Sequence, residues 1–231
     1  MQTNEHGQAV GEPVEGWSPR SKPGGVTLAG VHVTAEPIGV QHSEALFAAV
    51  CGPGDESLWT YRPGPMPTNR QVFDDEVVRR LADHPDGATL AFVPAGGNAS
   101  GFATFFPCVL TAGVVEISGV LLARGLQRTT AATEGIHLML RHAFDDLGYR
   151  RVEWKCDSLN APSARAAARF GFTHEGRFRQ HMVTNGRNRD TDWFSMLDGE
   201  WPEVRTRHEQ WLSPTNFDPQ GQQVHRLQDL P

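Results

Sequence analysis

Between Gln127 and Ala132 a glutamine, an arginine and two threonines stand directly ahead of an apolar-periodic run, an order that suits anion binding. A helix beginning near Ala131 leaves its first backbone N–H groups without intrahelical acceptors. Those groups and the helix dipole together favour a phosphate or diphosphate. Arg128 adds a positive charge, and Thr129 and Thr130 add hydroxyl donors. The same residues also suit a plain capped start, with Thr129 or Thr130 as N-cap and Glu134 as the acid of a capping box. Both readings stand. His181, in the alternating run Phe178–Val183, could move a proton or could simply be an exposed or structural strand histidine. The ten histidines show no His-Glu-x-x-His or related spacing, so no metal site is expected.

These residues need a scaffold, and Val114 to Phe172 supplies one that alternates strand, loop and helix twice. Val114–Leu122 reads as a strand, and the Thr133–Leu147 run as a helix whose core face holds Ile136, Met139, Leu140, Ala143, Phe144 and Leu147. Gly148 suits its C′ position. In Arg151–Asp157, Val152, Trp154 and Cys156 share one face while Arg151, Glu153 and Lys155 share the other. Asn160 then suits an N-cap, Pro162 a first helical turn and Gly171 the helix end. Arg165 and Arg169 are available to nucleotide phosphates or to solvent. This alternation predicts a mixed α/β layer with a helix crossing between neighbouring strands.

Around that centre, 26–38 reads as a strand broken near Gly30 and His42–Gly52 as a short helix. A long Pro/Gly loop follows, of a kind that often lines a binding site. Trp59, Tyr61 and Phe73, in or after it, could line a ligand pocket or belong to the core or an interface. A helix capped by Thr68 or Asn69 and a hairpin over 88–109 lead into the centre. Two long strands meet at Asn185-Gly186, a strong hairpin signal. The basic cluster Gly186–Asp190 just after the turn suits an acidic ligand, a dimer interface or solvent. A helix with Pro202 in its first turn comes last. The predicted organisation is a flexible extension over 1–25, one domain over 26–213 and a C-terminal tail over 214–231 that is loose or lies on a partner.

The net charge of −6 gives no electrostatic case for nucleic acid or an acidic membrane. Cys51, Cys108 and Cys156 form no Cys-x-x-Cys pair and fit a reduced cytoplasm better than a disulfide framework. No signal peptide or membrane-spanning run is recognised, so a soluble cytoplasmic protein is expected.

The loop LQRTTAATEG, together with the stretch from LGYRRVEWKCD through NAPSARAAARFGF and HEGRF to the final hairpin, resembles the GNAT superfamily of N-acetyltransferases. Within it the chain is similar to the RimJ/RimL-like branch. The likeness runs from about Val26 to Pro202. It implies a mixed, mostly antiparallel central sheet, flanked by helices and splayed between the family's fourth and fifth strands, here Val114–Leu122 and Arg151–Asp157. It implies an acetyl group moved from acetyl-CoA to a primary amine of a small molecule or protein N-terminus, by direct attack. Pantetheine would pair with Val120, Leu121 and Leu122. The diphosphate would sit on Arg128, Thr129, Thr130, Ala131 and Ala132, with Gln127 opening the loop. Asn160 would bond the pantetheine, and Ser163 would protonate the departing thiolate.

Glu116 lies where several family members place a base acting through water. A carboxylate simply paired with Lys or Arg is the other reading. Two departures stand out: Arg128 and Thr130 replace glycines of the phosphate loop, and Ala167 stands where many members have a tyrosine acid. They motivate a non-catalytic acyl-CoA sensor as an alternative, while Gly119 and the small residues around it leave room for succinyl-CoA or another acyl-CoA as donor. A homodimer is the assembly implied. No Gly-x-Gly-x-x-Gly fingerprint supports a dinucleotide oxidoreductase.

Overall fold

Residues Gln2–Leu230 are described by a computed structural model. One eight-stranded sheet carries the fold. Its strands are β3 (Leu28–Ala29), β4 (Val33–Pro37), β5 (Ala88–Pro94), β6 (Gly101–Val109), β7 (Val114–Leu122), β8 (Arg151–Asp157), β9 (Thr173–Thr184) and β10 (Arg187–Leu197). They lie in the order β3-β4-β5-β6-β7-β8-β10-β9. Every neighbouring pair is antiparallel except β7 and β8. A parallel pair needs a crossover. It is made by helix α3 (Thr130–Arg141), which continues in a wider turn over His142–Asp146. The other helices are α1 (Ser43–Val50), α2 (residues 70–82), α4 (Ala161–Arg169) and α5 (Trp201–Leu212). A small ladder of β1 (Gln2–Thr3) on β2 (Ala9–Val10) precedes them.

The core forms where α3 lies on the sheet. Phe92, Phe105, Ile117, Met139 and Leu140 are fully buried there, each such side chain worth about 1.5–3 kcal/mol of transfer. Gly135 permits the close approach, since a Cβ on it would stand 2.9 Å from the Phe92 ring. The expected break near Gly30 is a reversal: β3 and β4 form a tight hairpin, with Leu28 opposite Ala35. Asn69 is the cap of α2, its side chain accepting from the Val72 N–H at 3.0 Å. Asn185 and Gly186 both take positive φ at the β9–β10 turn, as a two-residue hairpin requires.

Glu134 corrects the capping-box expectation. Thr129 caps α3, and Glu134 lies five residues further on, too far along to reach back. Its carboxylate accepts instead from the amides of Val31 (2.9 Å), His32 (2.6 Å) and Val33 (2.9 Å), tying α3 to the β3–β4 turn. Replacing Glu134 by Ala strands these donors. The expected loss is about 3 kcal/mol, read from the denaturant midpoint; a loss under about 0.5 kcal/mol would mean that water serves those amides equally well.

Both terminal segments lie against the body. The Trp17 indole donates to the Thr111 carbonyl at 3.0 Å, and Arg20 stacks on its ring at 4.4 Å. Tyr149 donates to the Ser21 carbonyl at 3.0 Å. At the other end the chain after α5 folds back. Leu227 is fully buried, and Asn216 donates to the carbonyls of Trp211 and His225, each at 3.1 Å. The expected loose tail is therefore seated on its own chain.

Candidate active site

β7 and β8 pair only through Val114–Arg151, Val115–Val152 and Glu116–Glu153. Beyond Glu116 they part. A bulge against β6 at this level turns β7 further, with Gly119 at φ 58°. Glycine takes that left-handed conformation without the steric cost a Cβ adds. The Gly119 carbonyl accepts from the Arg62 guanidinium at 2.9 Å. Burial brings Arg62 down to about 10, and its cation lies 5.4 Å from the Trp59 ring and 5.3 Å from Phe102.

The gap between the strands opens into a cleft of about 1190 Å³. Val120, Leu121 and Leu122 line one wall, and Trp154, Asn160 and Ser163 the other; Gln127 to Thr130 and Ala132 lie at its end. Ala131 is buried beside them. The loop is built to present amides. Gln127 bonds back to the Leu122 carbonyl at 3.0 Å, and the Thr129 hydroxyl accepts from the Ala132 N–H at 3.2 Å. The N–H groups of Thr130 and Ala131, in the first turn of α3, have no acceptor within the helix. Arg128 sits at φ 64°, the left-handed conformation that glycine adopts freely. A glycine at that position would serve the backbone alone. Arginine keeps the turn and adds a cation to the cleft.

The cleft wall has a marked charge. Arg128, Arg165, Arg169 and Arg226 line it, and no aspartate or glutamate does. Among the described residues none of the four is in an ion pair. In a chain with 27 acidic and 21 basic residues, such a wall selects for an anion with several charges.

Ser163 faces the cleft as the sequence suggests. Its hydroxyl oxygen accepts from the Trp154 indole at 3.0 Å, and burial pushes up the thiol of Cys156 on the same face of β8. Asn160 caps α4, accepting from the Ser163 N–H at 3.2 Å, and borders the cleft as well.

Glu116 and His181 lie apart from these. Glu116 shares with Glu153 and Lys155 the sheet face opposite Trp154, where Lys155 meets Glu116 and Glu153, each at 3.0 Å. Burial raises the Glu116 carboxyl above the usual carboxylate range, and Lys155 draws it partly back. The Lys155 ammonium also sits 3.7 Å from the Trp193 ring centre. His181 packs edge-on against Trp193 and Phe178, with Nδ1 3.0 Å from the Thr191 hydroxyl. Glu116 and His181 are thus joined through Lys155 and Trp193.

The long Pro/Gly loop crosses the mouth between the strands. Tyr61 donates to the Leu159 carbonyl at 2.9 Å, and Asn185 clasps Gly64 and Arg62 at 3.0 Å each. Trp59 and Phe73 are buried in the core, leaving Tyr61 exposed. The tail residues of the cleft, Arg226 and its neighbours, carried no sequence signal: they lie in a polar stretch without periodicity. Among the described residues no group of three or more His, Cys, Asp or Glu could hold a metal ion. Among the described residues no helix is long and apolar enough to cross a membrane.

Comparison with known proteins agrees with this geometry. The family model described as "Acetyltransferase (GNAT) domain" matches residues 32–173. A GCN5-related N-acetyltransferase from Brucella melitensis superposes with a TM-score of 0.90 at 40% identity, covering 93% of this chain and 98% of that one. A structure from Chromobacterium violaceum, titled a "probable acetyltransferases (GNAT family)", gives 0.78 at 39% identity over 84% and 98% of the two chains. The "Putative ribosomal N-acetyltransferase YdaF" of Bacillus subtilis is 28% identical over 83 residues, 36% of this chain and 45% of that relative's length. With the family model matching more than half of the chain and 40% identity across nearly all of a solved relative, the chain belongs to the GNAT family of acetyltransferases.

Proposed function

We propose that the chain transfers an acetyl group from acetyl-CoA to a primary amine, and that it belongs to the RimJ/RimL-like branch acting on a small molecule or a protein N-terminus. The observation that carries the donor is the arginine-lined cleft, free of carboxylates, that ends on the amides of Thr130 and Ala131. In this reading the diphosphate lies on residues 128–132. The pantetheine runs between the parted strands and bonds the β7 backbone at Val120–Leu122 and the Asn160 side chain. Cytoplasmic action as a homodimer and a catalytic domain over 26–213 belong to the same reading.

The acceptor comes from the face that carries Glu116. Its nitrogen must be neutral to attack. Glu116 takes a proton from the incoming ammonium, directly or through one water. The nitrogen then bonds the thioester carbonyl carbon and the carbon–sulfur bond breaks. Ser163, on the cleft side, gives its hydroxyl proton to the departing thiolate and is reprotonated, through water, by the second proton that the nitrogen loses on becoming the amide. His181 stands further out, as a relay for the proton that Glu116 receives.

The test is release of free thiol from acetyl-CoA across a panel of amines and N-terminal peptides. The expected result is amine-dependent thiol above the hydrolysis background, with succinyl-CoA a poorer donor. Tight binding of acetyl-CoA without turnover on any amine would favour an acyl-CoA sensor instead. Ala167, at the position of the family's usual tyrosine, motivates that second reading.

A further inference from the structure

The segment after α5 forms a wall of the cleft. Phe217, Gln222, Gln223, Arg226 and Gln228 border it, along with Trp211 at the end of α5. This wall is held in place. Gln223 accepts from the Trp211 indole at 2.9 Å, Phe217 packs edge-on to Trp211 at 5.3 Å, and Asn216 bonds the His225 backbone through both ends of its amide. Arg226 precedes Leu227, which is fully buried, so its backbone is anchored while its side chain remains exposed. The tail's carboxylates, Asp218 and Asp229, do not line the cleft.

Across the gap stands α4. Arg165 and Arg169, four residues apart, share one face of that helix. The Arg169 guanidinium is fixed 4.7 Å over Trp211 and 5.4 Å over Phe170. Three arginines from two separate elements therefore converge on the same opening, beyond the diphosphate loop and its own Arg128. The nucleotide end of coenzyme A carries three phosphate groups. Two form the diphosphate, and the third is a dianionic monoester on the ribose. That monoester is what a second cluster of cations suits.

We infer that the C-terminal segment is part of the donor site, and that Arg226, with Arg165 and Arg169, binds the ribose phosphate monoester and so selects coenzyme A over its 3′-dephospho form. The inference rests on the donor reading above, and the experiment separates the two. Calorimetric titration of the full chain uses CoA and 3′-dephospho-CoA as probes. The wild type is expected to bind CoA at least about tenfold more tightly than dephospho-CoA, as loss of a charge-assisted phosphate contact predicts. Arg226→Gln is expected to narrow that gap to about threefold or less, leaving dephospho-CoA affinity as it was. Arg165→Gln, on the other element, is expected to narrow it too. A gap unchanged in both variants, or a loss falling equally on both probes, overturns the inference. Wild-type protein that binds neither probe overturns the donor reading itself.

Discussion

The Glu116→Gln enzyme is expected to turn over at least about a hundredfold more slowly than the parent, with KM for acetyl-CoA nearly unchanged, because removal of a general base costs about 10²–10⁴ in rate. The substitution keeps the shape of the side chain and an oxygen to accept from Lys155, which also retains Glu153. Only the capacity to take a proton is lost. The pH profile carries the same claim. Glu116 works as a base only when ionised, and burial raises its carboxyl above the usual range. The acid limb of kcat/KM should therefore lie above that of an ordinary glutamate. Lys155 is the main influence opposing the rise, so Lys155→Met should move that limb to still higher pH. A Glu116→Gln enzyme within a few-fold of the parent would make Glu116 a structural partner of Lys155 and leave the proton to His181 or water.

Thr130→Pro is expected to raise KM for acetyl-CoA about tenfold to a hundredfold, the worth of one hydrogen bond to a charged group, while the melting temperature stays within a few degrees. Thr130 is the first residue of α3, where proline is accommodated because that N–H has no partner within the helix. The preceding Thr129 is extended, at φ −93° and ψ 166°, as a residue before proline must be. The change thus deletes the Thr130 amide, together with its hydroxyl, from the proposed diphosphate site, and Thr130→Ala, which removes the hydroxyl alone, separates the two. If donor KM is unmoved in a well-folded variant, the diphosphate does not lie on this turn.

The contrast between these two predictions follows what the sequence could reveal. Strand alternation in Arg151–Asp157, the helical period after Thr133 and the caps at Asn160 and Gly148 are local properties, and each is found where the residues place it. The splay of β7 from β8 came with the family likeness, since no single residue encodes it; the ladder ends at Glu116 and the Gly119 bulge follows. Arg128 looked like an obstacle to close phosphate approach. The left-handed turn is kept at φ 64°, and the arginine faces the cleft.

Other features depended on distant partners. Glu134 reads as a capping acid from its neighbours in sequence, yet it serves amides about a hundred residues earlier. The tail looked loose because it has no period. It is held by side-chain-to-backbone bonds of Asn216 and by one buried leucine, neither of which leaves a repeating pattern. Glu116 and Ser163 belong to opposite faces of the sheet. A residue list cannot show that separation, yet it is what divides proton removal from thiolate protonation.

Diphosphate on a helix start and a thioester arm between two parting strands are one geometric claim, and a crystal structure of the protein with coenzyme A tests it most directly. The account predicts diphosphate oxygens within hydrogen-bond distance of the Thr130 and Ala131 amides, with the pantetheine chain against Val120–Leu122 and its sulfur near Ser163. Coenzyme A found on another surface, or in the cleft with its diphosphate away from that helix start, would contradict it.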